Sequence, residues 1–214
     1  LVVTDPPFLD NVHYSELADF FYVWQRMVFN EPDLQEKLTT RNKAEVQDGD
    51  AESFADKLRR VLSECHRVLK DDGLLVFSYH HSRQDGWSAI AAAVLGSGFT
   101  FVQSQPVKSE MSGAMPKSQA RSPIDLDVLL VCRKSHSDSR ERRDSNDAYN
   151  AAVNGAAWKI QRFNSQGRML SQNDIKVILL SQLLVELSPG RERAELLTSF
   201  NTLMLRTADA IDEL

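Results

Sequence analysis

The chain has 214 residues, of which 42% are hydrophobic and 26% are charged, and its formal net charge is −5. Such values are typical of one globular domain, or of one domain with a helical appendage, and the negative charge argues against a stand-alone nucleic-acid-binding module. No apolar run approaches membrane-spanning length and no signal peptide is visible, so we expect no membrane association. The two cysteines lie far apart without paired spacing, which predicts a reduced, cytoplasmic protein with no metal site.

The first predicted element is a short buried strand in residues 1–8, which read LVVTDPPF. The apolar start is typical of a parallel strand, and the two prolines end it because they donate no ladder hydrogen bond. The carboxyl ends of strands are where open α/β sheets bind ligands. We therefore expect Asp5, Pro6, Pro7 and Phe8 to lie at a binding edge.

These four residues suit the alkylation of an exocyclic amino group on a nucleobase. Such a nitrogen is a poor nucleophile, and acceptors aimed at its N–H bonds return electron density to it. The Asp5 carboxylate and the rigidly held Pro6 carbonyl are two such acceptors, and the Phe8 ring is a flat face for an unstacked base. The alternative is a strand end followed by a Pro-Pro turn and a buried Phe8, and the motif alone does not decide between the two.

An amphipathic helix is predicted from Tyr14 onwards, because apolar residues recur at helical spacing. The predicted core face comprises Leu17, Phe21, Trp24 and Val28, with Phe20 and Met27 beside it. Tyr14 lies close to the proline motif, so it either lines the pocket for the base or packs against the core. Residues 30–50 are polar, and they predict a loop or weak helices.

The next predicted elements, a helix and a strand, form one parallel right-handed strand-helix-strand unit with the first strand. Ser53 is predicted to cap a helix that ends at the Asp71-Asp72-Gly73 turn, and Leu74 to Tyr79 predict a buried parallel strand. His80 and His81 follow that strand, at the same sheet edge as Asp5. They are candidate substrate-binding residues, and the alternative is a pair of loop histidines that satisfy backbone groups.

The remaining elements predict an antiparallel end to the sheet and then a helical region. Two strands joined without a helix must be antiparallel neighbours. The segments are a helix at 87–95, a strand at 99–107, a long loop at 109–123, a strand at 126–132, a charged linker at 135–147, and helices at 148–163, 172–187 and 191–214. The apolar stripe of the last helix either packs on its own chain or binds a protein partner.

The sequence strings resemble a known family. Asp5 to Phe8 resemble the Asp/Asn-Pro-Pro-Tyr/Phe signature of amino-group methyltransferases that use S-adenosylmethionine. The string TDPPFLDNVHYSELADFFYVW, together with ECHRVLKDDGLLVFSYHH, Trp87, GFTFVQSQPVKSE and DVLLVCRK, is similar to adenine-specific DNA methylases that often carry a zinc ribbon. The resemblance covers about the first two-thirds of the chain.

This resemblance implies an α/β fold: the second half of a Rossmann-like methyltransferase sheet, with parallel strands ending in an antiparallel hairpin, plus a C-terminal helical region. It implies a catalytic domain at 1–134, a linker at 135–147 and a helical region at 148–214. Thr4 and Asp5 would contact S-adenosylmethionine, and Phe8, Tyr14, His80 and His81 would contact the base. The glycine-rich cofactor loop of the family should precede Leu1, so we expect this chain to be a C-terminal piece that is inactive alone.

Three functions remain open. The first is methylation of N6 of adenine in DNA. The second is methylation of RNA at adenine N6 or guanine N2, since the motif serves both nucleic acids equally. The third is a non-catalytic fragment that binds a partner through its C-terminal helices.

Overall fold

The computed structural model describes residues 1–109 and 124–214. The described strands are β1 (Val2–Thr4), β2 (Leu75–Tyr79), β3 (Phe99–Lys108) and β4 (Leu126–Lys134). The described α-helices are α1 (Tyr14–Val28), α2 (Pro32–Glu36), α3 (Ala51–Val68), α4 (Gln84–Gly96), α5 (Ser145–Ser165), α6 (Gln172–Leu187), α7 (Arg193–Met204) and α8 (Thr207–Glu213), and a 3-10 turn spans Ser135–Ser137.

The described strands form one mixed sheet in the order β1-β2-β4-β3. β1 and β2 are parallel, while β4 is antiparallel to both of its neighbours. The predicted fold class, in which parallel strands end in an antiparallel hairpin, is confirmed. The predicted long loop at 109–123 lies outside the described residues, except for Ser109 at its start.

The two faces of the sheet are covered unequally. Side chains alternate between faces along a strand, and the buried positions of β2 and β4 pair with one another in register, as Phe77 does with Leu130. The positions between them, such as Ser78 and Leu129, are only half-buried. We call this second side the open face of the sheet.

The helical region packs on the strands rather than standing apart. α6 contacts both β3 and β4, α5 lies along α6, and α7 contacts α4. The apolar stripe of the last predicted helix is buried at Leu196, Phe200 and Leu203, so packing on its own chain is confirmed. Residues of the sheet and of the helices belong to one hydrophobic core.

The predicted core face of α1 is wrong. Phe21 is 64% exposed, and the other residues of that face are exposed as well: Leu17, Phe20, Trp24, Met27 and Val28. Tyr22 is the buried residue of this helix, and its hydroxyl donates to the carbonyls of Leu34 and Lys37. α1 therefore contacts the polar segment that follows it in the chain. The apolar periodicity predicted the helix correctly, but it did not predict which face of the helix is buried.

Three helix boundaries also differ from the prediction. Asp50, not Ser53, caps α3, and its carboxylate accepts from the Ser53 backbone N–H. The predicted linker ends early, because Asp144 caps α5 by accepting from two backbone N–H groups of its first turn. The predicted last helix is two helices, α7 and α8, separated at Leu205 and Arg206.

Candidate active site

The end of β1 presents the Asp5 carboxylate to solvent. Thr4 pairs with Phe77, so Asp5 follows opposite Ser78, and the Ser78 hydroxyl donates to Asp5 Oδ1. Asp5 itself is exposed, and it continues the alternation of β1 onto the open face. The carboxylate is thus oriented by a neighbouring strand while one oxygen remains available to a ligand.

The Phe8 ring lies beside the end of β2. It meets Tyr79 edge-to-face with the ring centroids 5.4 Å apart, and it meets His80 in the same way at 4.9 Å. Phe8 is half-buried, while the next residue, Leu9, is fully buried and has a φ of 55°. Bulky residues rarely adopt this left-handed conformation, so the turn that positions Phe8 stores strain, which the burial of Leu9 offsets.

His80 forms a close pair with a residue of β4. Its Nδ1 lies 2.5 Å from Asp127 Oδ1, and both side chains are largely buried. When Nδ1–H donates to this carboxylate, Nε2 carries the free lone pair, and the ring is fixed beside Phe8. The arrangement creates an oriented acceptor at the same edge and on the same face as Asp5.

His81 has a different environment. It is 2% exposed, its Nδ1 accepts from the Arg83 backbone N–H at 3.1 Å, and its Nε2 lies 3.9 Å from Asp10. Its ring fills the space over Gly86, where a Cβ would approach to 2.4 Å. Burial lowers the pKa of His81, so the neutral ring is favoured. The structure thus places His80 beside Phe8, whereas it buries His81 in the loop that precedes α4.

Tyr14 is the first residue of α1, and its side chain is exposed.

Among the described residues, no group of three or more His, Cys, Asp or Glu has the geometry to hold a metal ion. Of the described helices, none is long and apolar enough to cross a membrane.

Sequence reasoning missed Ser78 and Asp127. Both act across strands, and their partners depend on the register, which pairs β2 with β1 on one side and with β4 on the other. A usable signal existed for Asp127, because it is a charged residue that interrupts an apolar strand next to a predicted loop.

The profile of a family described as DNA methylase matches residues 1–182. The chain belongs to the DNA methylase family. Members of this family methylate exocyclic amino groups, either N6 of adenine or N4 of cytosine, so the chain is an amino-group DNA methyltransferase. The match continues past residue 134 through α5 and into α6, further than the resemblance of the sequence strings. No match was found among curated proteins or among solved structures.

Proposed function

We propose that this DNA methylase transfers a methyl group from S-adenosylmethionine to N6 of adenine in DNA. The observation that carries the proposal is the exposed Asp5 carboxylate, which Ser78 orients at a strand end beside the Phe8 ring. An acceptor for N–H groups and a flat apolar surface are the two features needed to hold a base that has left its stack.

In the proposed mechanism Asp5 and the Pro6 carbonyl each accept one hydrogen of the amino group. The two hydrogen bonds draw the nitrogen lone pair out of the ring, so that it can attack the methyl group of the cofactor. Phe8 holds the plane of the base, and His80 borders the same position, with Nε2 able to accept a proton from nitrogen after the transfer.

The cofactor requires a site in line with this lone pair. S-adenosylmethionine supplies an electrophilic methyl group on a sulfonium. The exposed Thr4 and Asp5 fit this requirement, because they lie at the carboxyl end of β1, where a ligand can reach both the carboxylate and the strand end. We assign Thr4 and Asp5 to the cofactor side, and Phe8, Tyr14 and His80 to the base side.

Adenine is favoured over cytosine by the resemblance of the long string from Thr4 to Trp24. The test is product analysis of the full-length protein with S-adenosylmethionine and duplex DNA, followed by digestion to nucleosides and mass spectrometry. We expect the methylated nucleoside to be N6-methyl-2′-deoxyadenosine. N4-methylcytosine as the product would contradict the adenine assignment and leave the amino-group chemistry in place.

RNA is the alternative substrate, since an amino-group acceptor does not read the 2′-hydroxyl. Competition between a duplex DNA and an RNA of the same sequence separates the two. We expect the DNA to be methylated first at equal concentration, and a preference for RNA would overturn the substrate assignment.

A further inference from the structure

Residues 148–173, which run from the first turn of α5 to the start of α6, form a segment of net positive charge. Residues 148–173 contain Lys159, Arg162 and Arg168 and no acidic residue, in a chain whose formal net charge is −5. A local excess of cations in an acidic chain attracts a polyanion to one place rather than to the whole surface.

Two of these cations lie over aromatic rings. The Arg162 guanidinium carbon is 4.9 Å from the centroid of the Trp158 ring, and that of Arg168 is 5.7 Å from the Phe163 ring. Within the described ranges, neither arginine forms an ion pair with a carboxylate. Stacking orients each guanidinium and leaves N–H groups available to a ligand. We call Trp158, Arg162, Phe163 and Arg168 the basic shelf.

Trp158, Arg162 and Phe163 of the shelf line a cavity of about 240 Å³, and Gln105 and Pro106 of β3 line its other side. Trp158 is 57% exposed, so a ligand at this surface can reach its ring. An exposed indole beside a guanidinium is the combination on which nucleic-acid bases and sugars stack.

Lys159 anchors the shelf to the sheet. Its Nζ donates to the Ser104 carbonyl at 2.6 Å and to Gln182 Oε1 at 2.6 Å. The ammonium group is therefore committed to β3 and α6, and α5 is fixed at the free edge of β3. This anchoring holds the arginines of the shelf in a fixed position relative to the sheet.

The shelf lies at the same end of the sheet as the candidate active site. Pro106 pairs with Val128, which pairs with Tyr79, and Phe8 packs on Tyr79. Strands are about 4.8 Å apart, so β3 lies about 10 Å from β2. Arg168 closes part of this gap, because it donates to the Asp125 carbonyl at 3.5 Å, two residues before the partner of His80.

We propose that the basic shelf binds the DNA strand that flanks the target base. Arg162 and Arg168 contact its phosphates, and Trp158 packs on a sugar or an unpaired base. At about 3.4 Å per nucleotide along one strand, the lateral distance from β2 to β3 alone corresponds to about three nucleotides, so the flanking segment is at least that long. The inference rests on the proposed function in taking DNA as the substrate, and it adds where that substrate lies.

The test is the affinity of the full-length protein for a fluorescein-labelled 20-base-pair duplex, measured by anisotropy at several salt concentrations. The variant is Arg162→Gln with Arg168→Gln. Each lost phosphate contact lowers the slope of log affinity against log salt by about 0.9, so we expect a decrease of nearly 2. The matched control is Arg59→Gln with Arg60→Gln, which removes the same charge from α3, where both arginines pair with Asp56.

A second measurement uses Trp158 itself. In residues 1–214 carrying Trp24→Phe, the remaining tryptophans are the buried Trp87 and the exposed Trp158. We expect the duplex to quench the emission of Trp158, and the further change Trp158→Phe to abolish that response. Poly-glutamate of equal charge is expected to give no such quenching, because it has no rings or sugars to stack.

The outcomes separate this inference from the proposed function. Equal salt slopes for the shelf variant and the wild type, equal losses in the shelf variant and its control, or quenching by poly-glutamate would overturn the shelf. If the protein methylates DNA normally while the shelf variant binds like the wild type, the shelf alone fails. If the wild type binds RNA and not DNA, the assigned substrate fails.

Discussion

The candidate site depends on two side-chain pairs that cross between strands. Ser78 donates to Asp5, and Asp127 holds His80. In each pair a residue of the central strands orients a group at the end of β2 or β1. Such pairs restrict the site geometry without contacting the substrate themselves, as preorganised sites require.

Asp127→Asn tests the second pair. The loss of a charged hydrogen-bond partner costs about 1.5–3 kcal/mol, and the amide can also reverse the tautomer of His80. We expect kcat for methyl transfer to fall about tenfold or more, with the KM for S-adenosylmethionine unchanged. Asp125→Asn is the control, two residues away on the same segment. Equal kcat values for the two variants would show that His80 needs no orientation by Asp127.

We expect the buried Lys159 to make the free energy of unfolding depend on pH. Burial lowers the pKa of Lys159 from 10.5 to about 8 in the folded protein. Between these two values the unfolded chain binds more protons than the folded one at this residue, so its contribution to the free energy of unfolding rises with pH across that window. The difference between wild type and Lys159→Met, measured by urea unfolding at pH 7.5 and at pH 10, should grow in favour of the wild type. A difference that is constant with pH would mean that Lys159 titrates normally.

At the scale of the element, periodicity identified helices better than it identified their surroundings. The predicted bounds of α6 agree with the structure, because a capping box at Ser171 and Asp174 marks its start and Pro189-Gly190 follows its end. α1 was also predicted as a helix, yet its apolar face is exposed. A repeat of 3.6 residues states which side chains share a face and carries no information on what covers that face.

The exposed face of α1 makes its own prediction. Phe21→Ser and Trp24→Ser remove apolar surface that contacts solvent, so we expect the free energy of unfolding of this chain to change by less than about 0.5 kcal/mol. Binding of the dye ANS should fall, because large exposed apolar patches bind it. Phe54→Ser is the contrasting variant, since Phe54 is fully buried, and it should destabilise by about 3 kcal/mol or more. A comparable loss for Phe21→Ser would show that this face is packed in solution.

The sequence predicted where the main residues of the candidate site lie, but not the residues that contact them. Asp5, Phe8 and His80 follow predicted strands, so the sequence places them at one edge of the sheet. Their partners Ser78 and Asp127 depend on register and on which strand is the neighbour, and neither is written in a local pattern. The different environments of His80 and His81 follow from the same geometry, because adjacent residues point to opposite sides of the chain.

At the scale of the whole molecule, the sheet and the helical region share their core. α6 packs on β3 and β4, and Arg140 after the 3-10 turn donates to carbonyls of both Phe101 and Val185. Helices 5 to 7 therefore cover a sheet face that would otherwise expose residues such as Phe101 and Leu130.

Scanning calorimetry tests this shared core. We expect residues 1–214 to unfold in one transition, with the calorimetric enthalpy equal to the van't Hoff enthalpy. A chain truncated after residue 144 should lose its fixed tertiary structure, which near-ultraviolet circular dichroism would detect. Two separate transitions, or a folded truncated chain, would contradict a common core and would favour an independent catalytic unit at 1–134.

In the proposed mechanism the Asp5 carboxylate holds the amino group that becomes methylated. The measurement that tests this role is the rate of methyl transfer to duplex DNA by the full-length protein carrying Asp5→Ala, with DNA affinity measured on the same sample. An acceptor aimed at the reacting group is worth about a hundredfold or more in rate, so we expect a loss of that size with DNA binding retained. Methyl transfer at the wild-type rate by Asp5→Ala would contradict this role of Asp5.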